Sequence, residues 1–145
     1  MKSFIKVFAV TLMLAVVAVS CGKVEKILPK KDGKWKTTST STAIYMNSVL
    51  DTTVVTLSND SSDVMEFLKD GVGNVISTDT TTSFTWSVND NNDEITICQT
   101  FLSVQLCVTS TILESSKNEM TWFYTDKVTG DTNWSESTSI NTRVE

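Results

Sequence analysis

From Lys34 onward, clusters of Asn, Asp, Ser and Gly cut the chain at short intervals: Asn47-Ser48, Asn59 to Ser62, Asp70 to Gly73, Asn89 to Asp93, Ser115 to Asn118 and Thr129 to Asp131. These residue types adopt turn conformations that bulkier side chains resist. The segments between them are rich in Thr, Ser, Val, Ile and aromatics, which suit a pleated surface. No window carries an apolar i, i+3, i+4, i+7 stripe long enough for a sustained helix. The pattern predicts strands over 34–46, 49–58, 63–69, 73–79, 82–88, 94–101, 104–114, 119–126 and 132–143. Alternation is clearest where Phe84, Trp86 and Val88 interleave with Ser83, Thr85 and Ser87, and it places Ile95, Ile97, Gln99 and Phe101 on one face of the next strand. A meander this long keeps two open edges unless it closes on itself. The expected fold class is therefore all-β: an up-and-down antiparallel β-barrel of eight or nine strands, with a two-sheet β-sandwich as the alternative.

Composition removes whole classes of chemistry. The 145 residues contain no histidine, which excludes a Ser-His-Asp triad, a Cys-His dyad, imidazole acid–base catalysis and a His-ligated metal. The count of 12 Lys+Arg against 17 Asp+Glu, a net charge of −5, disfavours nucleic acid as a partner. Asp70, Asp90 and Asp93 fall in turns, where carboxylates cap the backbone. The stretch from Asn89 to Glu94 offers clustered oxygens for Ca²⁺ but lacks the EF-hand spacing and its glycine, so a hairpin turn explains it better. No enzyme activity, cofactor or resident metal is expected.

The N-terminus carries Lys2 and Lys6 followed by an apolar run from Val7 to Val19, the layout of an export signal and too short for a typical membrane span. Ala18-Val19-Ser20-Cys21 resembles a lipobox, with small or β-branched side chains ahead of a thiol able to take a lipid. The resemblance implies that residues 1–20 are a lipoprotein signal peptide and that Cys21 is the diacylated (palmitate-bearing) first residue of the mature chain. Acyl chains on that cysteine would anchor the protein without a membrane-spanning helix. Removing residues 1–20 leaves 10 basic against 17 acidic residues, a net charge of −7. Residues 21–32 then read as the lipidated cysteine and a tether, or else as a short helix closing one end of the domain, because Val24, Ile27 and Leu28 fall at i, i+3, i+4.

Cys98 and Cys107 remain, in a compartment that permits disulfides. A tight hairpin around Leu102-Ser103 opposes residues whose numbers total 205, which sets Cys98 against Cys107 and Ile97 against Val108. The thiols would share the outer face and the apolar pair the inner one. Two free thiols acting as small hydrophobes are the alternative.

Gly33-Lys34-Trp35 opens the first strand, Met65 to Gly71 reads Met-Glu-Phe-Leu-Lys-Asp-Gly, and Phe84 to Val88 reads Phe-Thr-Trp-Ser-Val ahead of an Asn/Asp turn. Together with the lipobox these motifs resemble the lipocalin-like lipoproteins of Bacteroidota, over residues 33 to about 126, with a domain running to 145. The resemblance implies that Gly33 and Trp35 plug the closed end of a barrel, and that Arg143, the only arginine, lies across the indole as a cation–π partner. It further implies a membrane-anchored envelope protein that binds a small apolar or amphipathic ligand, with Phe84, Trp86, Ile97, Val108, Trp122 and Tyr124 lining the site. Trp134 and Phe123 join the aromatics expected to fill or line the barrel. Cell-surface lipoproteins of that phylum often carry an acidic cluster after the cysteine, and Lys23, Lys26, Lys30 and Lys31 stand there instead. The expected location is therefore the outer membrane with the domain facing the periplasm, and display on the cell surface is the alternative. The alternative function is a filled barrel that binds a protein or glycan through its outer face, or serves as a structural envelope module.

Overall fold

The computed structural model describes residues 24–57 and 63–144. The expected signal segment, residues 1–20, and Cys21 lie outside the described residues. A helical turn, α1 (Val24–Ile27), and a 3₁₀ turn at Lys31–Gly33 lead into nine antiparallel strands. These are β1 (Lys34–Met46), β2 (Val49–Leu57), β3 (Val64–Phe67), β4 (Val72–Ile76), β5 (Thr81–Val88), β6 (Glu94–Phe101), β7 (Val104–Ser115), β8 (Glu119–Thr125) and β9 (Trp134–Arg143).

The sheet closes because β9 returns to β1, pairing with it from Trp35↔Arg143 to Tyr45↔Trp134. Closure removes the free edges that a sandwich would keep. Eight strands make the barrel, and β2 is the ninth. On the edge of β1 opposite β9, β2 and β3 lie end to end, with Ser39 facing Leu57 and Lys34 facing Glu66. Only β1 pairs with β2 among the described residues, so the outer edge of β2 is open.

Two bulges set which side chains face inward. The register slips between Thr37 and Ser39 against β9, and between Ile112 and Glu114 against β8. An extra residue reverses the parity of the pleat, so Thr37, Thr40 and Thr42 all face the lumen while Leu113 turns outward. The β6–β7 hairpin has the expected register, with Cys98 opposite Cys107 and Ile97 opposite Val108. A disulfide joins the two cysteines, S–S 2.06 Å.

The core occupies one end of the barrel. Trp35, Phe67, Phe84, Trp86, Ile95, Met120 and Trp122 form one buried cluster together with Val24 and Leu28. Phe67 stands at its centre, with edge-on contacts to Phe84, Trp86 and Trp122 at 5.3, 5.6 and 6.1 Å between centroids. This is the geometry aromatic quadrupoles favour. Gly73, between Phe67 and Phe84 in the register, makes room for the Phe84 ring, which an added Cβ would strike.

Of the two readings open for the segment before Gly33, the described residues from Val24 onward take the short helix. Val24 and Leu28 are buried beneath the barrel, so the short helix, not a free linker, is what forms. Burying those two side chains contributes about 1.5–3 kcal/mol each toward ordering the segment.

Candidate functional site

The closed end is held by a small set of directed contacts. Trp35 is fully buried and its indole Nε1 donates to the Leu28 carbonyl at 3.0 Å. The Arg143 guanidinium lies 4.4 Å from the Trp35 ring centroid. Its nitrogens donate to the carbonyls of Lys117 (3.0 Å), Ile27 (2.7 Å) and Lys30. One cation thus fastens the β7–β8 turn and the N-terminal segment to the strand that closes the barrel. Burial pushes its pKa below the usual arginine value, although arginine stays charged under ordinary conditions. Gly33 has φ +64°, and a Cβ there would collide with the Phe67 carbonyl oxygen. Only glycine fits both the left-handed conformation and the contact.

Above this floor the lumen is open and two-sided. Along β6 and β7, alternation points Ile97, Phe101, Val104, Leu106 and Val108 inward, yet Phe101 is 67% exposed, Leu106 61% and Val108 47%. Across the barrel, β1 and β9 present hydroxyls. Thr40 Oγ1 and Ser139 Oγ are 3.1 Å apart, and Thr42 Oγ1 and Ser137 Oγ 3.0 Å apart. One row deeper, Thr37 Oγ1 donates to Asn141 Oδ1 at 2.7 Å, and Asn141 is fully buried. The lumen above the aromatic floor therefore has one apolar wall and one wall of paired hydroxyls.

The six residues expected to line a ligand divide between these levels. Phe84, Trp86 and Trp122 belong to the buried floor, whereas Ile97, Val108 and Tyr124 stand above it. Trp86 is held in place by an Nε1 hydrogen bond to the Val72 carbonyl at 2.9 Å. Trp122 has no such partner, and its Nε1 is the one buried side-chain polar atom left unbonded among the described residues. A buried donor without an acceptor costs about 1–3 kcal/mol.

The barrel wall also has a side opening. β5 and β6 pair only from Thr85↔Cys98 to Val88↔Ile95. Beyond that the strands diverge around a cleft of about 720 Å³ lined by Thr82, Phe84, Gln99 and Phe101 among others. A Gln99 Nε2 to Thr82 Oγ1 hydrogen bond of 3.1 Å bridges it. A second cleft, of about 990 Å³, lies outside the closed end between the N-terminal segment, the Lys69–Gly71 turn and the end of β5, next to Lys26, Lys69 and Trp86.

Two aromatics expected in the interior lie elsewhere. Trp134 is on the outer face near the mouth, stacked on Tyr45 at 4.6 Å with Lys127 3.6 Å over its ring. Phe123 sits opposite Thr138 and Thr111, one residue out of phase with the inward Trp122 and Tyr124. The Tyr45 hydroxyl donates to Glu136 at 3.1 Å, which raises its pKa. Asp126 accepts from the backbone N–H and hydroxyl of Ser135, which lower its pKa. These contacts fix the β8–β9 loop to the β1–β2 hairpin, where Ser48 N also donates to the Thr132 carbonyl at 2.7 Å.

The Asn89 side chain ties its own turn, donating to Asp93 at 2.6 Å and accepting from the backbone N–H of Asp93 and Glu94. Among the described residues no three His, Cys, Asp or Glu side chains gather as a metal site. Nor is any described helix long and apolar enough to cross a membrane.

The sequence lets inward Thr, Ser or Gln99 orient a polar group but does not single out the residues of the hydroxyl wall. The wall's signal was present as the i, i+2 spacing of Ser135, Ser137, Ser139 and Asn141, but the same spacing describes a solvated outer face.

No family model and no curated protein sequence matches the chain. Among solved structures it is similar to insecticyanin from the tobacco hornworm Manduca sexta, with TM-score 0.57 and 10% identity, over 85% of this chain and 65% of that one. The chain thus spans about two thirds of that protein's length. At this identity the likeness speaks for the architecture alone, and with the closed eight-stranded barrel and its extra strand it makes the fold lipocalin-like.

Proposed function

We propose that this protein is a lipid-anchored envelope protein whose barrel binds a small apolar or amphipathic molecule above the aromatic floor. The observation that carries this reading is the vertical division of the lumen. The lower half is packed solid, whereas inward-facing Leu106, Val108 and Phe101 in the upper half are left exposed. Apolar side chains aimed into a concave space and left unburied are the usual signature of a ligand site. The mechanism is burial without bond chemistry. A tail shielded by the β6–β7 wall leaves water, at about 25 cal/mol per Å² of apolar area.

Anchoring rests on the lipobox at Ala18 to Cys21. With Val24 packed beneath the closed end, few residues separate that cysteine from the barrel. In this arrangement the mouth points away from the anchoring membrane, and the outer membrane facing the periplasm is its location.

The test is native mass spectrometry on residues 22–145 after exposure to an envelope lipid extract. All of the packed floor lies between Val24 and Trp122, and its Arg143 clamp is retained, so this chain keeps the whole barrel. A discrete added mass that is lost in Val108→Asp supports the carrier. A bare protein mass across the extract sinks it. A second reading, docking of a protein partner by strand addition, is favoured by the open edge of β2, whose residues are all exposed.

A further inference from the structure

We infer that the ligand is an electrically neutral amphipath whose headgroup is held by Trp122 Nε1 and the Thr40, Thr42, Ser137 and Ser139 hydroxyls, and not a fatty-acid anion. The inference rests on the carrier reading and names the chemical class it would take.

Three observations converge on one patch of the lumen. Trp122, 8% exposed, has an indole N–H without an acceptor. In the register Trp122 faces Ser139, which faces Thr40, so the Trp122 side chain and these hydroxyls belong to one inward row across β8, β9 and β1. Directly opposed side chains on one face approach to about 5 Å. Each Thr–Ser pair has two O–H groups but one mutual hydrogen bond, with either oxygen able to donate. One proton per pair is therefore free for an acceptor, and each oxygen keeps a lone pair for a donor.

The charge pattern decides between headgroups. No Lys or Arg occurs from Thr37 to Met46 in β1, in β8, or from Trp134 to Thr142 in β9. The one arginine is spent at the closed end on backbone carbonyls and Trp35. Asp126 and Asp131 stand in the β8–β9 loop, with Lys127 taken up by Trp134. A carboxylate entering this lumen would lose hydration with no cation to meet it and would pass acidic side chains on the way. A hydroxyl, ester or amide headgroup meets donors and acceptors of its own kind, while its tail lies on the Leu106 and Val108 wall.

The experiment compares chain-matched probes on residues 22–145 at pH 8: 1-monomyristoylglycerol, myristate and tetradecane, with binding read by displacement of an apolar fluorophore. The glycerol ester is expected to bind about tenfold more tightly than myristate, the equivalent of one or two neutral hydrogen bonds. Thr40→Val with Thr42→Val keeps shape and removes the hydroxyls. It should weaken the glycerol ester by about tenfold and leave tetradecane unchanged. Trp122→Phe, accepted only with an unaltered unfolding midpoint, should act in the same direction. Myristate binding as tightly as the ester, or variants that leave the ester's affinity unchanged, overturns the headgroup assignment while the carrier stands. Failure of all three probes to displace the fluorophore overturns the carrier reading itself.

Discussion

At the closed end of the barrel Trp35, Phe67 and Met120 are sealed from water, whereas farther toward the mouth Val104, Leu106 and Phe101 face the same lumen half exposed or more. Both levels are built by the same alternation and closed by the same β1–β9 pairing. What separates them is what stands opposite. At the floor, aromatics from β3, β5 and β8 meet across the axis, and α1 covers them from below. At the mouth, the apolar wall of β6 and β7 faces short Thr and Ser side chains on β1 and β9, which do not reach across. An eight-stranded barrel is just wide enough for large side chains to fill. Small ones on one side leave space. Stability is concentrated below and room for a ligand above.

Truncating the floor should have the largest effect on the molecule. Phe67→Ala removes the ring that three other aromatics contact and should cost about 3–5 kcal/mol in urea unfolding. A loss near that of an ordinary surface change, about 0.5 kcal/mol, would mean that the floor is not the core. The brace of the upper half comes next. The Cys98–Cys107 bond closes a short loop, and replacing both residues by serine should lower stability by about 2–3 kcal/mol without altering the far-ultraviolet dichroism of the barrel. A change under about 1 kcal/mol would show that hairpin pairing alone fixes that wall.

The tip of the same hairpin should respond in the opposite direction. Leu102 is 84% exposed with φ +47°, a conformation that Asn or Gly takes more readily than a bulky residue. Leu102→Asn is expected to raise the unfolding free energy by up to about 1 kcal/mol. A clear loss would place the tip among the fold's own contacts. The smallest effect concerns pH. Hydrogen bonds from Ser135 depress the Asp126 pKa, so the contact stabilises fully above the ordinary aspartate range and is lost as pH falls through the folded value. Acidification should loosen the β8–β9 loop, read as faster amide exchange at Ser135, before the floor responds. Simultaneous loss of both would make mouth and floor one cooperative unit.

Strand positions and turns were legible in the chain because they depend on neighbours in sequence. Asn47-Ser48 takes two left-handed residues at the β1–β2 tip, as Asn invites, and the count across Leu102-Ser103 set Cys98 opposite Cys107, a pairing the structure closes as a disulfide. The placement of Trp134 was not legible. Its strand alternates polar residues on both faces, so no local pattern told lumen from solvent. The bulges at Thr37/Ser39 and Ile112/Glu114 were hidden for a related reason. A one-residue slip answers to the tilt and stagger that closure demands, not to the side chain at the slip.

Local sequence was enough for an all-β meander, the register expected for the β6–β7 hairpin and the absence of imidazole chemistry, while the sealed end at Gly33 and Trp35 was an expectation from family resemblance. Tertiary structure alone decided that β9 closes on β1, that a polar last strand becomes a lumen wall, and that Trp122 is buried with its N–H unanswered. The physical reason is range. Turns and alternation are settled within a few residues, whereas burial at any point of a barrel depends on the side chains that distant strands bring across the axis.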